Sequence, residues 1–137
     1  MKKLIPFLVL ILSVVVYGCA ASGTSSERGS RGGSEITVDN PNVSLAEYIG
    51  RLNGVRVTGS GASARIIVRG ADSSTILSDP RPLFIVDGVN VGRDFSRVYS
   101  SVNVSSVNSV RVIHSSRATI LHGHEGSNGV IEIKIED

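Results

Sequence analysis

Aromatic residues are scarce in this 137-residue chain: Trp is absent, and Phe and Tyr number three each. A core must therefore be built from Val, Ile and Leu. Cysteine is scarcer still. A single cysteine, Cys19, excludes an internal disulfide and any cysteine-based zinc site. A dominant charge is also lacking. Fourteen Lys and Arg stand against twelve Asp and Glu. Lys2 and Lys3 lie in a segment expected to be removed, which leaves a mature chain without net charge. Nothing in that balance points to nucleic acid. No hydrophobic run reaches the roughly 20 residues a membrane-crossing helix needs. What the chain has in abundance is glycine, 15 residues spread along its length, which favours turns over long helices.

The N-terminus begins with Lys2 and Lys3. Residues 4–16 follow, apolar apart from Pro6 and Ser13. That length fits the core of a signal peptide. It ends Val16-Tyr17-Gly18-Cys19, which resembles a bacterial lipoprotein signal: a small residue before the cysteine that takes the lipid. Tyr17 is bulkier than is usual there. The resemblance implies a signal peptide over 1–18 and a mature chain starting at an acylated Cys19. Several acyl chains, at about 0.8 kcal/mol per buried CH₂, make a lasting anchor. Residues 19–33 hold small and polar residues with three charges and no large apolar side chain. They cannot bury anything and read as a flexible tether with a reach on the order of 20 Å. Neither an acidic retention signal nor an acidic export cluster follows Cys19. The resemblance thus favours the periplasmic face of the outer membrane.

The folded part, residues 34–137, is organised around Leu83-Phe84-Ile85-Val86-Asp87-Gly88-Val89-Asn90-Val91. Four apolar residues predict a strand buried on both faces. Asp-Gly tolerates positive φ at both centres of a type I′ turn, so the chain is expected to reverse there. Pro80 and Pro82 forbid a helix running into the strand.

Around this stretch the pattern is short and alternating. Residues 34–38 predict a first strand or the end of the tether. Ser44 and Glu47 form a capping box ahead of Leu45, Tyr48, Ile49 and Leu52 at helical spacing, with Asn53-Gly54 ending the helix. Val55-Arg56-Val57 and residues 64–69 read as a hairpin. Residues 70–79 read as an exposed loop, and 91–106 as loop with at most one helical turn. Residues 109–114 predict a strand, and 117–121 a short helix capped by Ser116 and stopped by Gly123. Asn128-Gly129 turns into residues 130–135, where Ile131, Ile133 and Ile135 share one face and Glu132 and Lys134 the other. The expected fold is α+β, with four or five short strands and two short helices. About 100 ordered residues suffice to fold alone.

Chemistry-bearing patterns are few. Residues 59–64 match the G-x-G-x-x-A spacing of dinucleotide sites, but a strand follows where a helix is required, so the stretch reads as a hairpin loop. His122 and His124, beside Glu125, are the candidate metal ligands. No third ligand stands at a telling spacing, so neither metal nor cofactor is expected. No nucleophile elbow accompanies the serines. Asp87 reads as half of a turn rather than as a catalytic acid. No catalytic residue is assigned, and the chain is not expected to be an enzyme.

Four motifs then occur in order. They are the helix and Asn-Gly-Val-x-Val of residues 45–57, Ile66 through Val68-Arg69-Gly70, residues 82–91 with Asp87-Gly88-Val89, and residues 107–135 with Gly123 and Asn128-Gly129. Together, residues 45–135 resemble the plug domain of TonB-dependent outer-membrane receptors, and within it the SusC-like group that imports glycans and peptides. The resemblance implies a plug-like fold and Arg69, Gly70, Asp87, Gly88, Val89, Gly123, Asn128 and Gly129 as its motif positions. Residues 34–38 also look like the TonB box, which pairs as an added strand. A family receptor continues into a barrel of strands of about 9–11 residues each. Here the sequence ends at Asp137, so the expectation is a plug without its own pore. Its expected role is an accessory or binding module of an uptake system, partnered by the membrane through lipid and by an outer-membrane barrel or a TonB-like protein. The alternatives are a gate inserting in trans into a separate barrel, or a free-standing ligand-binding lipoprotein. Arg65 and Arg69, which in the family look toward the barrel wall, are expected to be solvated or to face a partner. The pattern gives no oligomeric state.

Overall fold

The fold, a computed structural model, describes residues 34–71 and 79–136. The signal peptide, Cys19, the tether and most of the loop expected over 70–79 lie outside the described residues.

In chain order the elements are β1 (Glu35–Thr37), α1 (Leu45–Gly50), β2 (Val55–Thr58), β3 (Arg65–Val68), β4 (Leu83–Val86), β5 (Val89–Gly92), α2 (Phe95–Ser101), β6 (Val107–Ile113), α3 (Ser115–His122) and β7 (Val130–Ile135). The α+β class stands, but the counts do not. Among the described residues, seven strands and three α-helices replace the four or five strands and two helices expected. The surplus helix is α2, in a stretch read as loop with at most one helical turn. Its three serines and Val98 have weak helix propensity. Tertiary burial of Phe95 and Val98, and the Asp94 side chain capping Ser96, override that propensity.

Five strands form one sheet in the order β1-β6-β7-β4-β5, and β2-β3 form a separate hairpin. β7 pairs antiparallel with β6 and parallel with β4, so it lies at the centre of the sheet. This explains why Val130, Ile131 and Ile133 are fully buried. β4 is buried at Leu83, Phe84 and Ile85, as an apolar run flanked on both sides should be. The Asp87-Gly88 turn has φ of 46° and 79°, the paired positive values of a type I′ reversal.

The core lies on two sides. On one face, Phe84, Val110, Val112, Ile131 and Ile133 pack with α1, α2 and the inner side of β3. On the other, Leu83, Ile85, Ile113 and Val130 pack with Ala118 of α3.

Two local expectations change. Ser44 accepts the Glu47 N–H at 3.3 Å, but the Glu47 carboxylate turns to Arg51 at 2.8 Å, so the reciprocal half of the capping box is not made. The helix α3 begins after His114, not after Ser116, and that cap makes no side-chain hydrogen bond. Of the two readings of residues 34–38, the first strand holds: β1 pairs with β6, Ile36 opposite Val110.

Candidate functional site

Three segments distant in sequence meet at a cleft of about 420 Å³. The turn and start of β3 supply Ala62, Ser63, Ala64, Arg65 and Ile66. The Asp79-to-Arg81 segment supplies its charged pair. The entry to α2 supplies Arg93, Asp94, Phe95 and Ser96, with Phe84 behind. The volume is within the range of small-molecule sites. Its floor is apolar because Ala64, Ile66, Phe84 and Phe95 are core residues. The Phe84 and Phe95 rings lie 5.7 Å apart, tilted by 43°.

The rim is charged and largely fixed. Arg81 is bidentate on Asp79, its Nε donating to Oδ1 at 2.8 Å and to Oδ2 at 3.0 Å. The Arg81 guanidinium holds the Asp79 carboxyl below its ordinary range, and Asp79 raises Arg81 in turn. Arg93 donates to the carbonyls of Arg81 and Glu125, both at 2.8 Å. Asp94 accepts from the Ser96 hydroxyl at 2.9 Å and the Ser96 N–H at 3.1 Å, and these bonds lower its pKa. Ser63 donates to the Ser60 carbonyl at 3.0 Å. Among the described residues, neither histidine nor cysteine lines the cleft. Its two serines donate to the Ser60 carbonyl and to the Asp94 carboxylate. The arrangement suits holding a group.

The motif positions lie elsewhere and serve the backbone. The Asp87 N–H donates to the Ile133 carbonyl at 3.0 Å, and its Oδ1 accepts the Ile135 N–H at 2.9 Å. Val89, next after the turn, is 65% exposed. Asn128 is buried, and its Nδ2 donates to the Asp79 carbonyl. Gly129 packs so tightly that an added Cβ would lie 2.9 Å from Val68 Cγ1, which brings the Asn128-Gly129 turn against the end of β3. There the Arg69 N–H donates to the Gly54 carbonyl at 2.7 Å. An added Cβ on Gly70 would meet Ser115 Oγ at 3.0 Å. Gly123 ends α3 with φ of 62°. The structure thus sets Gly129 against Val68 and ties Asp87 to β7, and no motif position lines the cleft.

His122 closes α3, and His124 lies in the 3₁₀ turn Gly123–Gly126. Among the described residues no three His, Cys, Asp or Glu side chains come together as a metal site. The neighbouring Glu125 instead accepts from Asn90 Nδ2 at 3.1 Å. Sequence reasoning missed Asp79, Arg81, Arg93 and Asp94. The one available signal was two charges threaded between prolines, Asp79-Pro80-Arg81-Pro82, ahead of a buried strand.

Comparison with known proteins bears on this geometry. The family model described as "TonB-dependent Receptor Plug Domain" matches residues 20–130. TonB-dependent receptor P26 of Formosa agariphila is 30% identical over 127 residues, covering 86% of this chain and 12% of that protein. Among solved structures, the RagAB peptide importer in its closed-closed state superposes with a TM-score of 0.57 at 21% identity, over 74% of this chain and 12% of that one. The siderophore receptor PirA of Acinetobacter baumannii gives 0.55 at 23% identity, over 76% and 17%. At those identities the structures speak to the fold. The chain spans about an eighth of the length of the curated relative it matches.

Proposed function

This chain belongs to the TonB-dependent receptor plug domain family, and from that membership we propose that it is a non-enzymatic module of a TonB-dependent uptake system at the outer membrane. The observation that carries the reading is the match over residues 20–130 together with a plug fold whose core closes among the described residues. In this reading residues 1–18 are a signal peptide, Cys19 is acylated, and 19–33 tether the domain to the periplasmic face. The motif order supports a place nearest the SusC-like group. The partner is an outer-membrane barrel or a TonB-like protein, and the domain acts as its accessory or binding module.

Affinity purification of the full chain, tagged after Asp137, from gently solubilised outer membranes tests this against a Cys19→Ala control. Recovery of a barrel or TonB-like protein is expected. One-to-one stoichiometry with a barrel indicates a gate acting in trans; a substoichiometric partner indicates docking. A chain held in the membrane through Cys19 that recovers no partner refutes the uptake reading and leaves a free-standing ligand-binding lipoprotein.

A further inference from the structure

We infer that the Asn53-Gly54 turn is a self-modifying site: Asn53 deamidates through a cyclic imide with Gly54 and leaves isoaspartate in the main chain. The inference is independent of the uptake role proposed above. Asparagine is thermally labile where the nitrogen of the next residue reaches its side-chain carbonyl. The Gly54 nitrogen gives up its proton and bonds to Asn53 Cγ. The Cγ–Nδ2 bond breaks, and Nδ2 leaves as ammonia with that proton. Water then opens the five-membered ring. Addition at Cγ returns an ordinary aspartate. Addition at the Asn53 main-chain carbonyl breaks its bond to the Gly54 nitrogen, so the chain then runs through the side chain.

The residue that follows an asparagine decides where this happens. Asn42, Asn90 and Asn103 precede valine, whose branched side chain crowds the approach, and Asn108 precedes serine. Asn40 precedes Pro41, which has no N–H to lose. Only Asn53 and Asn128 precede glycine. The fold separates these two. Asn128 is buried, its Nδ2 donates to the Asp79 carbonyl, and the Gly129 N–H donates to the Gly126 carbonyl at 2.9 Å. The leaving nitrogen and the attacking one are both held, and Val68 packs against Gly129. Asn53 is exposed. Among the described residues neither its side chain nor the Gly54 N–H makes a hydrogen bond. The related Asp87-Gly88 pair is held too, because Asp87 Oδ1 accepts the Ile135 N–H, and a carboxylate is a poorer electrophile than an amide.

The turn sits between two fixed points. Leu52, just before it, is buried in the core. Gly54, just after it, has φ of 74°, the left-handed conformation of a helix stop. Its carbonyl accepts the Arg69 N–H at 2.7 Å, directly beside the Val55–Val68 pair that begins the hairpin. Isoaspartate places one more atom in the main chain between Leu52 and Gly54. The junction of α1 with β2 must then shift, at the expense of Leu52 packing or of the Gly54–Arg69 bond. The product also carries a negative charge where the parent side chain is neutral. Age is thereby written into the fold at one turn, in one direction.

Timed incubation of the full chain in mildly alkaline buffer tests this, followed by digestion in acid and peptide mapping by mass spectrometry. Electron-transfer fragmentation tells isoaspartate from aspartate. Asn53 is expected to convert mainly to isoaspartate. Asn128 should convert at least about tenfold more slowly, because local opening must first release it. In urea the two sites should convert at similar rates, which assigns the difference to the fold. Asn128 keeping pace with Asn53 in the folded chain overturns the proposal. So does an Asn53 that converts in urea but stays intact in the folded chain. The consequence is read by thermal melting. The aged parent should melt a few degrees below the fresh protein, whereas Asn53→Gln, which closes the imide ring far more slowly, should keep its melting temperature through the same incubation. An equal fall in both proteins would overturn the assigned effect on the α1–β2 junction.

Discussion

Asp87 binds Ile135 across the gap where the parallel ladder ends: Asp87 Oδ1 accepts the Ile135 N–H at 2.9 Å, one rung beyond the Asp87 N–H bond to the Ile133 carbonyl. The side chain stands in for the carbonyl that β4 would have offered had it continued. One residue thereby turns the chain at positive φ and holds β7 against β4.

Replacing Asp87 by Asn keeps an acceptor and tolerates the left-handed backbone, so little change is expected. Asp87→Ala loses the acceptor and strains the backbone, and should cost about 1–2 kcal/mol. Urea unfolding of the two variants against the parent measures the difference. Equal stability of the Ala variant would show that the Ile135 bond contributes nothing.

Two glycines separate lack of space from backbone conformation. An added Cβ on Gly126 would lie 2.3 Å from the Ala118 carbonyl oxygen, a backbone atom of α3. Gly126→Ala should cost about 3 kcal/mol, since the helix itself must shift. Around Gly88 nothing lies within 4 Å, but φ is +79°. Gly88→Ala should cost only about 1 kcal/mol. Thermal melts that rank the two in the opposite order would contradict this packing.

Burial ranks two isoleucines in the same way. Ile133 is fully buried in the central strand and Ile120 is 83% exposed on α3. Ile133→Ala should destabilise by about 2–5 kcal/mol. Ile120→Ser should stay within about 0.5 kcal/mol. Chemical denaturation midpoints report both.

Acid titration should find two carboxylates below their ordinary range. Asp79 is lowered by its hydrogen bond to Arg81, and Asp94 by its bonds to Ser96. A folded-state pKa below the unfolded value contributes stability above the unfolded pKa and loses it as pH falls through the folded one. The cleft rim should therefore loosen only in acid, below the usual carboxylate range. Carboxyl NMR shifts against pH read both groups. Arg81→Ala should move Asp79 upward while leaving Asp94 lowered by Ser96. No movement of Asp79 would remove Arg81 as the cause.

Short-range rules made much of this fold legible. The type I′ turn at Asp87-Gly88, the left-handed Gly54 and the alternation of Ile131 and Ile133 follow from φ preference and strand period, which the sequence displays directly. α2 was hidden because its serines favour other conformations. Phe95, Val98 and Val102, at helical spacing after Asp94, were the available signal. The cleft was out of reach for a different reason. Ala62, Asp79 and Arg93 approach only once the hairpin, the segment before β4 and α2 have packed, and no local pattern encodes that approach. The parallel β4–β7 pairing is likewise non-local, since β5, α2, β6 and α3 intervene.

That central placement of β7 also fixes an order of events during synthesis. β4 and β6 are both made before the strand that belongs between them. Until residues 130–135 emerge, the nascent chain carries Leu83, Phe84 and Ile85 on a strand with an unfilled edge. Such an edge recruits other strands, so the growing polypeptide is most exposed to aggregation in the interval between β6 and β7. Pairing across so long a loop also makes closure of the sheet the slow step, and the chain needs shielding until β7 arrives.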